Sequence, residues 1–253
     1  EFSLIKKRLP ETLRRTLAAG VTAEVDAGGP MWNFSVRERA NATPLAPRVA
    51  VAGPLISTVA RPQFDPDDLP IIKVKTPGDA EAQVKRQLLK KTDLIKVWFI
   101  VSKDKGIAPV LPILKRVIEV SHAHGTRVMV HATQLEAARA AVKLGADILA
   151  HSIDDAPVDR AMIQLLKSKK TLLIPTLVVY RGYAQIFRLA PQPSDLELKI
   201  GDPRIIAEWY EASAATGGSP PGAKRRLTAF EKRLPIMAAN LKRLHDAGVT
   251  LAA

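Results

Sequence analysis

The feature that most constrains this chain is a short apolar run followed by an amphipathic stretch, repeated from one end to the other. Runs rich in Val, Ile and Leu fall at 21–26, 48–56, 94–101, 127–133, 148–153, 172–179 and 249–253. They are almost continuous in hydrophobicity, as parallel strands covered on both faces are. Between them the spacing predicts helices. Leu111, Leu114, Val117, Ile118 and Ser121 recur at helical intervals over 111–123, an Ala-rich helix follows over 134–144, and a short one over 158–166. Ala19-Gly20-Val21-Thr22, Leu144-Gly145-Ala146-Asp147 and Ala247-Gly248-Val249-Thr250 share one logic. In each, a helix ends on a Gly suited to the left-handed cap, and a buried strand starts within about two residues.

Strands alternating with helices throughout predict an α/β fold with a parallel sheet. The number of repeats favours a (β/α)8 TIM-type barrel over an open doubly wound sheet. No Gly-x-Gly-x-x-Gly follows any run, so a dinucleotide-binding version has no support. Seven strands are countable and the seventh stops at the C-terminus. The expectation is therefore one barrel domain over 1–253, incomplete, without a first strand and without the end of its last. The segment at about 180–228 is the least regular, with Pro191, Pro193, Pro203 and the run Thr216-Gly217-Gly218-Ser219-Pro220-Pro221-Gly222. It reads as a long loop on the C-terminal face carrying a helix over 205–214. Such a loop is either a cap over the site or a disordered insertion.

Composition narrows the function classes. With 47% hydrophobic and 25% charged residues, the 253-residue chain has enough apolar material for a sizeable core. No apolar run approaches the roughly 18 residues of a membrane helix, so no membrane role is expected. The absence of cysteine excludes disulfides, Cys-ligated zinc, iron–sulfur clusters and a cysteine nucleophile. It leaves the compartment open between cytoplasm and, if a signal peptide has been removed, periplasm or exterior. A net charge of +13 raises an alternative, a basic nucleic-acid- or anion-binding barrel without hydrolytic activity. Against it, the basic clusters are scattered and aromatics make up only 5% of residues, which fits solvated surface charge better.

Two histidines end apolar runs: His131 closes Arg127-Val128-Met129-Val130-His131 and His151 closes Ile148-Leu149-Ala150-His151. Both fall where a strand hands over to its loop, the catalytic face of a barrel. Adjacent strands lie about 4.8 Å apart, close enough for two imidazoles to share one metal ion. Either they are unrelated polar residues or they converge; equivalent positions on consecutive strands favour convergence. His122 and His124 end a helical pattern, where residues two apart point about 200° from one another, and cannot chelate one ion. Lys96 interrupts the apolar run Leu94-Ile95-Lys96-Val97-Trp98. It either snorkels from near the strand start or is a buried amine, which must be paired, neutralised or carboxylated to a metal-bridging anion.

These residues resemble the metal-dependent amidohydrolases, closest to the imidazolonepropionase-like and prolidase-like branch. Leu17-Ala18-Ala19-Gly20-Val21-Thr22 leading to Asp26-Ala27-Gly28-Gly29-Pro30 is similar to that family's second strand. Asp93-Leu94-Ile95-Lys96-Val97 is similar to the strand bearing its carboxylated lysine, and the runs to His131 and His151 to those bearing its strand-five and strand-six histidines. Pro175-Thr176-Leu177 and Asn240-Leu241-Lys242-Arg243-Leu244 leading to Ala247-Gly248-Val249-Thr250-Leu251 resemble its seventh strand and the approach to its eighth.

The resemblance implies hydrolysis of an amide or cyclic C–N bond, with Lys96, His131 and His151 as ligands of one or two divalent ions, zinc foremost. Two departures qualify it. The family's first strand supplies a His-x-His pair and its eighth ends Gly-Thr-Asp, where the Asp is ligand and general base; neither appears here. No catalytic residue is thus expected within the chain, since the Asp would follow Ala253, and the 253 residues alone are expected to be inactive. The expected partners are a small-molecule amide substrate and, in assembly, further copies of the chain as a homo-oligomer. Val179-Tyr180-Arg181-Gly182-Tyr183 reads as the loop after strand seven. There Tyr180 is a candidate donor to a developing oxyanion and Arg181 a candidate clamp for a substrate carboxylate. A phosphate-binding barrel is the weaker alternative, because that loop holds a single Gly.

Overall fold

Alternation of helix and strand persists through the computed structural model, which describes residues 2–60, 68–101, 106–188, 191–215 and 222–252. The order is α1 (Phe2–Ala18), β1 (Ala23–Asp26), α2 (Asn33–Asn41), β2 (Arg48–Val51), β3 (Leu55–Ser57), β4 (Ile71–Lys73), α3 (Pro77–Leu88), β5 (Leu94–Trp98) and α4 (Leu111–Ala123). It continues with β6 (Arg127–His131), α5 (Leu135–Leu144), β7 (Ile148–Ala150), α6 (Arg160–Lys169), β8 (Leu172–Ile174), α7 (Leu177–Arg188), α8 (Asp195–Ile200), α9 (Pro203–Ala215) and α10 (Ala223–Asp246).

Every strand pair is parallel. Strands β1 and β2 pair with one another, and a second sheet runs β4-β3-β5-β6-β7-β8. A bridge from Ala52 to Leu94 joins the two sheets, and one from Leu173 to Leu251 adds the C-terminal residues beside β8. Apart from β4, which flanks β3 on the side away from β5, successive staves are thus spatial neighbours, the arrangement of a (β/α) barrel. Among the described residues no ladder joins β1 to the Leu251 stave.

Strand register sorts the side chains onto two faces. Lys96 lies opposite Met129, Met129 opposite Ile148, and Ala150 opposite Ile174. With Leu94 and Leu172 these residues face the lumen. Ile95, Val97, Val128, Val130, Leu149 and Leu173 face outward and are buried beneath the helices. There they meet Val84 of α3, Leu114 and Val117 of α4, Ala138 and Val142 of α5, and Met162 and Leu166 of α6. Each large aliphatic side chain withdrawn from water in this layer contributes about 1.5–3 kcal/mol.

The helices are set by local chemistry. Thr76 and Asp79 form a reciprocal capping box at the start of α3, with Pro77 at its first position. Both Nε and Nη2 of Arg116 on α4 donate to Glu81 Oε2 on α3, at 2.9 and 2.7 Å. Helix α5 ends on Gly145 at φ 107°, the left-handed cap anticipated from the sequence.

Four expectations need correction. The run 48–56 is two strands, because Gly53-Pro54 interrupts it and Pro has no N–H to lend a ladder. Strand β4 was not anticipated; it pairs with β3 and follows Pro70. The run 172–179 is a strand only to Ile174, after which Thr176 takes a left-handed φ of 50° and α7 begins. Tyr180 and Arg181 are therefore helical rather than in a loop. Likewise 180–228 is mostly helical: α7, α8, α9 and the start of α10 fill it, and α9 covers the helix expected at 205–214. The Gly- and Pro-rich positions 216–221 lie outside the described residues. No helix among the described residues is long and apolar enough to cross a membrane.

Candidate functional site

The lumen of the staves encloses a cavity of about 1050 Å³, lined among others by Leu94, Lys96, Met129, Ala150, His151 and Thr176. Lys96 is 4% exposed and shares its face with Leu94, while its neighbours Ile95 and Val97 point into the outer layer. It does not snorkel. Burial pushes its amine down to about 7, because charge is disfavoured away from water. Among the described residues no carboxylate forms an ion pair with it.

His131 is the last residue of β6, opposite Ala150, and His151 follows β7 directly. Their rings meet edge to face with centroids 4.6 Å apart, and Trp98 of β5 stands 6.3 Å from His131 on its other side. Burial, then the neighbouring His151 and Lys96, lowers His131 to about 3. Burial and Lys96 lower His151 to about 4. Both imidazoles are neutral at pH 7 and keep a lone pair, the state in which histidine binds metal. The three lumen residues are thus close enough to act on each other electrostatically. Among the described residues no three His, Asp or Glu side chains form a metal-binding group; the convergent set is two imidazoles and a lysine.

No family model matches the chain, and no curated protein does. Solved structures do. An amidohydrolase superposes at TM-score 0.70 with 20% identity, covering 100% of this chain and 58% of that one. The fold is that of the amidohydrolase barrels. A Xaa-Pro dipeptidase with methionine bound in its active site matches at TM-score 0.68 and 18% identity, over 96% of this chain and 56% of that one. The ochratoxinase of A. niger matches at 0.64 and 18%, over 97% and 54%. The motifs read from the sequence and the folds matched by the structure therefore point the same way. The chain spans little more than half the length of the solved structures it matches.

On this barrel, Tyr180 and Arg181 both border a recess between α7 and α10 and neither is among the residues lining the lumen. The Tyr180 hydroxyl donates to Asp154 Oδ2 at 3.0 Å, and Arg233 of α10 reaches the same oxygen at 3.0 Å. Burial and then the Asp154 carboxylate push the phenol up to about 12, so it stays a neutral donor. Arg181 is exposed, and its recess also touches Arg188 and Phe230. Asp154 itself was missed by the sequence reading. Its side chain is 3% exposed, and burial raises its pKa against the opposing pull of Arg233 and Tyr180. The signal for it was an Asp-Asp pair just past His151, where a loop leaves the C-terminal end of β7. Asn240 of α10 braces the same loop by bonding Val158 N, Ile153 O and Ala156 O. The remaining histidines do not join: His122 contacts Asp147 at 2.8 Å, His124 the Val120 carbonyl and His245 Asp246.

Proposed function

We propose that the full-length protein is a metal-dependent hydrolase that acts on an amide or cyclic C–N bond, of dipeptide-like or cyclic amide substrates. One observation carries the reading: a buried lysine amine, with no carboxylate partner among the described residues, shares the barrel lumen with two neutral, mutually contacting imidazoles. This donor set fits a divalent ion, zinc foremost, with Lys96, His131 and His151 holding one or two ions. When bound, the ion supplies Lewis-acid polarisation of the scissile carbonyl.

The chain's own residues do the rest. An amine held near 7 is substantially neutral at physiological pH, so Lys96 Nζ attacks carbon dioxide, loses a proton and becomes a carbamate. That conversion turns a buried amine into an anion matched to the ion. His131 and His151 offer lone pairs without first releasing protons. Tyr180 and Arg181, just beyond Thr176, are proposed to meet the substrate from α7. No Gly-Thr-Asp occurs among the 253 residues, and the chain alone is proposed to turn over no amide.

Equilibrium dialysis against zinc, with ¹³C-bicarbonate present, tests the reading on the full-length protein. Retained zinc and a carbamate carbon signal, both lost in Lys96→Ala, are the expected results. Zinc retained equally by Lys96→Ala, or no zinc retained by the wild type, overturns it.

A further inference from the structure

Four non-glycine residues among those described have a positive φ: Lys91, His151, Lys170 and Thr176. Two have an ordinary local reason. Lys170 is the left-handed C-cap of α6, and Lys91 follows the end of α3, where such a conformation closes a helix. His151 at φ 78° and Thr176 at φ 50° end no helix; each follows a strand, β7 and β8 respectively. A β-branched residue in this region is a real outlier, since its Cβ crowds the backbone. Strain of this kind persists only where the surroundings over-determine it.

The surroundings are visible. His151 N donates to Ile174 O at 2.7 Å and Ser152 N to Pro175 O at 3.1 Å, so the two strand ends are stitched together as both chains turn. The Ser152 hydroxyl adds a third bond, to Pro175 O at 2.9 Å. The two strained residues then meet side chain to side chain, with His151 Nδ1 and Thr176 Oγ1 2.8 Å apart. Both line the lumen cavity.

We infer that Thr176 is the positioning residue of His151, its hydroxyl accepting from Nδ1–H so that Nε2 is the ring nitrogen left with a lone pair for a ligand. A hydroxyl can donate or accept, so contact alone permits either tautomer. The direction assigned here rests on the metal-dependent reading, because the opposite tautomer would spend the Nδ1 lone pair on Thr176 and leave only an N–H for the lumen. An imidazole whose far nitrogen is tied in this way has its tautomer and ring plane set before any ion arrives. The left-handed turn at Thr176 brings the hydroxyl to the histidine, which gives the strain a purpose that packing alone does not.

The test needs no activity. In the metal-free chain labelled with ¹⁵N-histidine, two-bond nitrogen–proton correlations report which ring nitrogen of His151 carries the proton. Wild type and Thr176→Ser are expected to show Nδ1–H, whereas Thr176→Val, which keeps the shape and drops the hydroxyl, should lose that preference. In the full-length protein, competition with a chromophoric chelator should show zinc held about 10- to 100-fold more weakly in Thr176→Val, with Thr176→Ser near the wild type. An Nε2–H tautomer in the wild type overturns the inference whatever the variants do, as does an unchanged tautomer in Thr176→Val. A wild type that shows Nδ1–H yet retains no zinc supports the positioning role and sinks the metal-dependent reading instead.

Discussion

Replacing Lys96 by Met is expected to stabilise the metal-free chain by roughly 4 kcal/mol at pH 7 and to flatten its response to alkali. In the folded state burial holds the amine at about 7, while in the unfolded chain it titrates at its ordinary value of about 10.4. Between those two values the unfolded state binds more protons, so wild-type stability rises as pH increases. Below the folded value both states are protonated and the whole penalty applies; above the unfolded value it has gone. Met has a similar length and no charge, so the variant removes the penalty without opening a cavity. Urea unfolding at pH 7, 8 and 9, with chelator present, measures this. The wild type should gain stability across the series and converge on the variant. Parallel profiles, or a variant weaker at pH 7, would show that the amine reaches water or finds an anion.

Asn240→Leu is expected to cost about 3–5 kcal/mol, since it strands two buried backbone groups and a third that is part-buried. Asn240 is 2% exposed, and it accepts from Val158 N at 2.8 Å while its amide donates to Ile153 O and Ala156 O at 3.0 and 2.9 Å. Leu has the same branched skeleton, is bulkier, and can repair none of these bonds. Because the loop it braces starts just past His151, the loss should also appear locally. Amide exchange at Val158 should accelerate in the variant well below the global unfolding midpoint. A variant within about 1 kcal/mol of the wild type would mean that water replaces the side chain.

The barrel staves were legible because their residues obey two rules at once, apolar on both faces and bounded by Gly or a helix cap. Strands β5 and β6 and helices α4 and α5 follow from that pattern within a few residues. The failures have local causes. In Leu172-Leu173-Ile174-Pro175-Thr176-Leu177-Val178-Val179 the hydrophobicity never drops, so nothing in the composition announces that backbone at Thr176 turns left-handed and a helix starts. Strand β4 is three residues long, too short for periodicity to register. Within 180–228 the helix α9 was read from the sequence, whereas α7 and α8 were hidden among prolines; Ser194 with Glu197 was a capping-box signature that marked α8.

At the site, Lys96, His131 and His151 could be picked out because each breaks an apolar run. The Nδ1 contact to Thr176 and the buried carboxylate of Asp154 arise from residues 25 and 26 positions from their partners. No local pattern carries such a pairing.

The free flank of β1 governs how this chain keeps in a tube. Its outer side has no neighbouring strand among the described residues, so its backbone N–H and C=O groups lie outside any ladder there. Such a flank is a template for the same flank of another copy. What holds copies apart is mutual repulsion from a charge of +13, and that repulsion reaches about 10 Å at 0.1 M salt but only about 3 Å at 1 M. Raising the salt from about 0.1 to 1 M is therefore expected to bring copies of these 253 residues together through this flank, and light scattering that does not rise with salt would overturn that expectation.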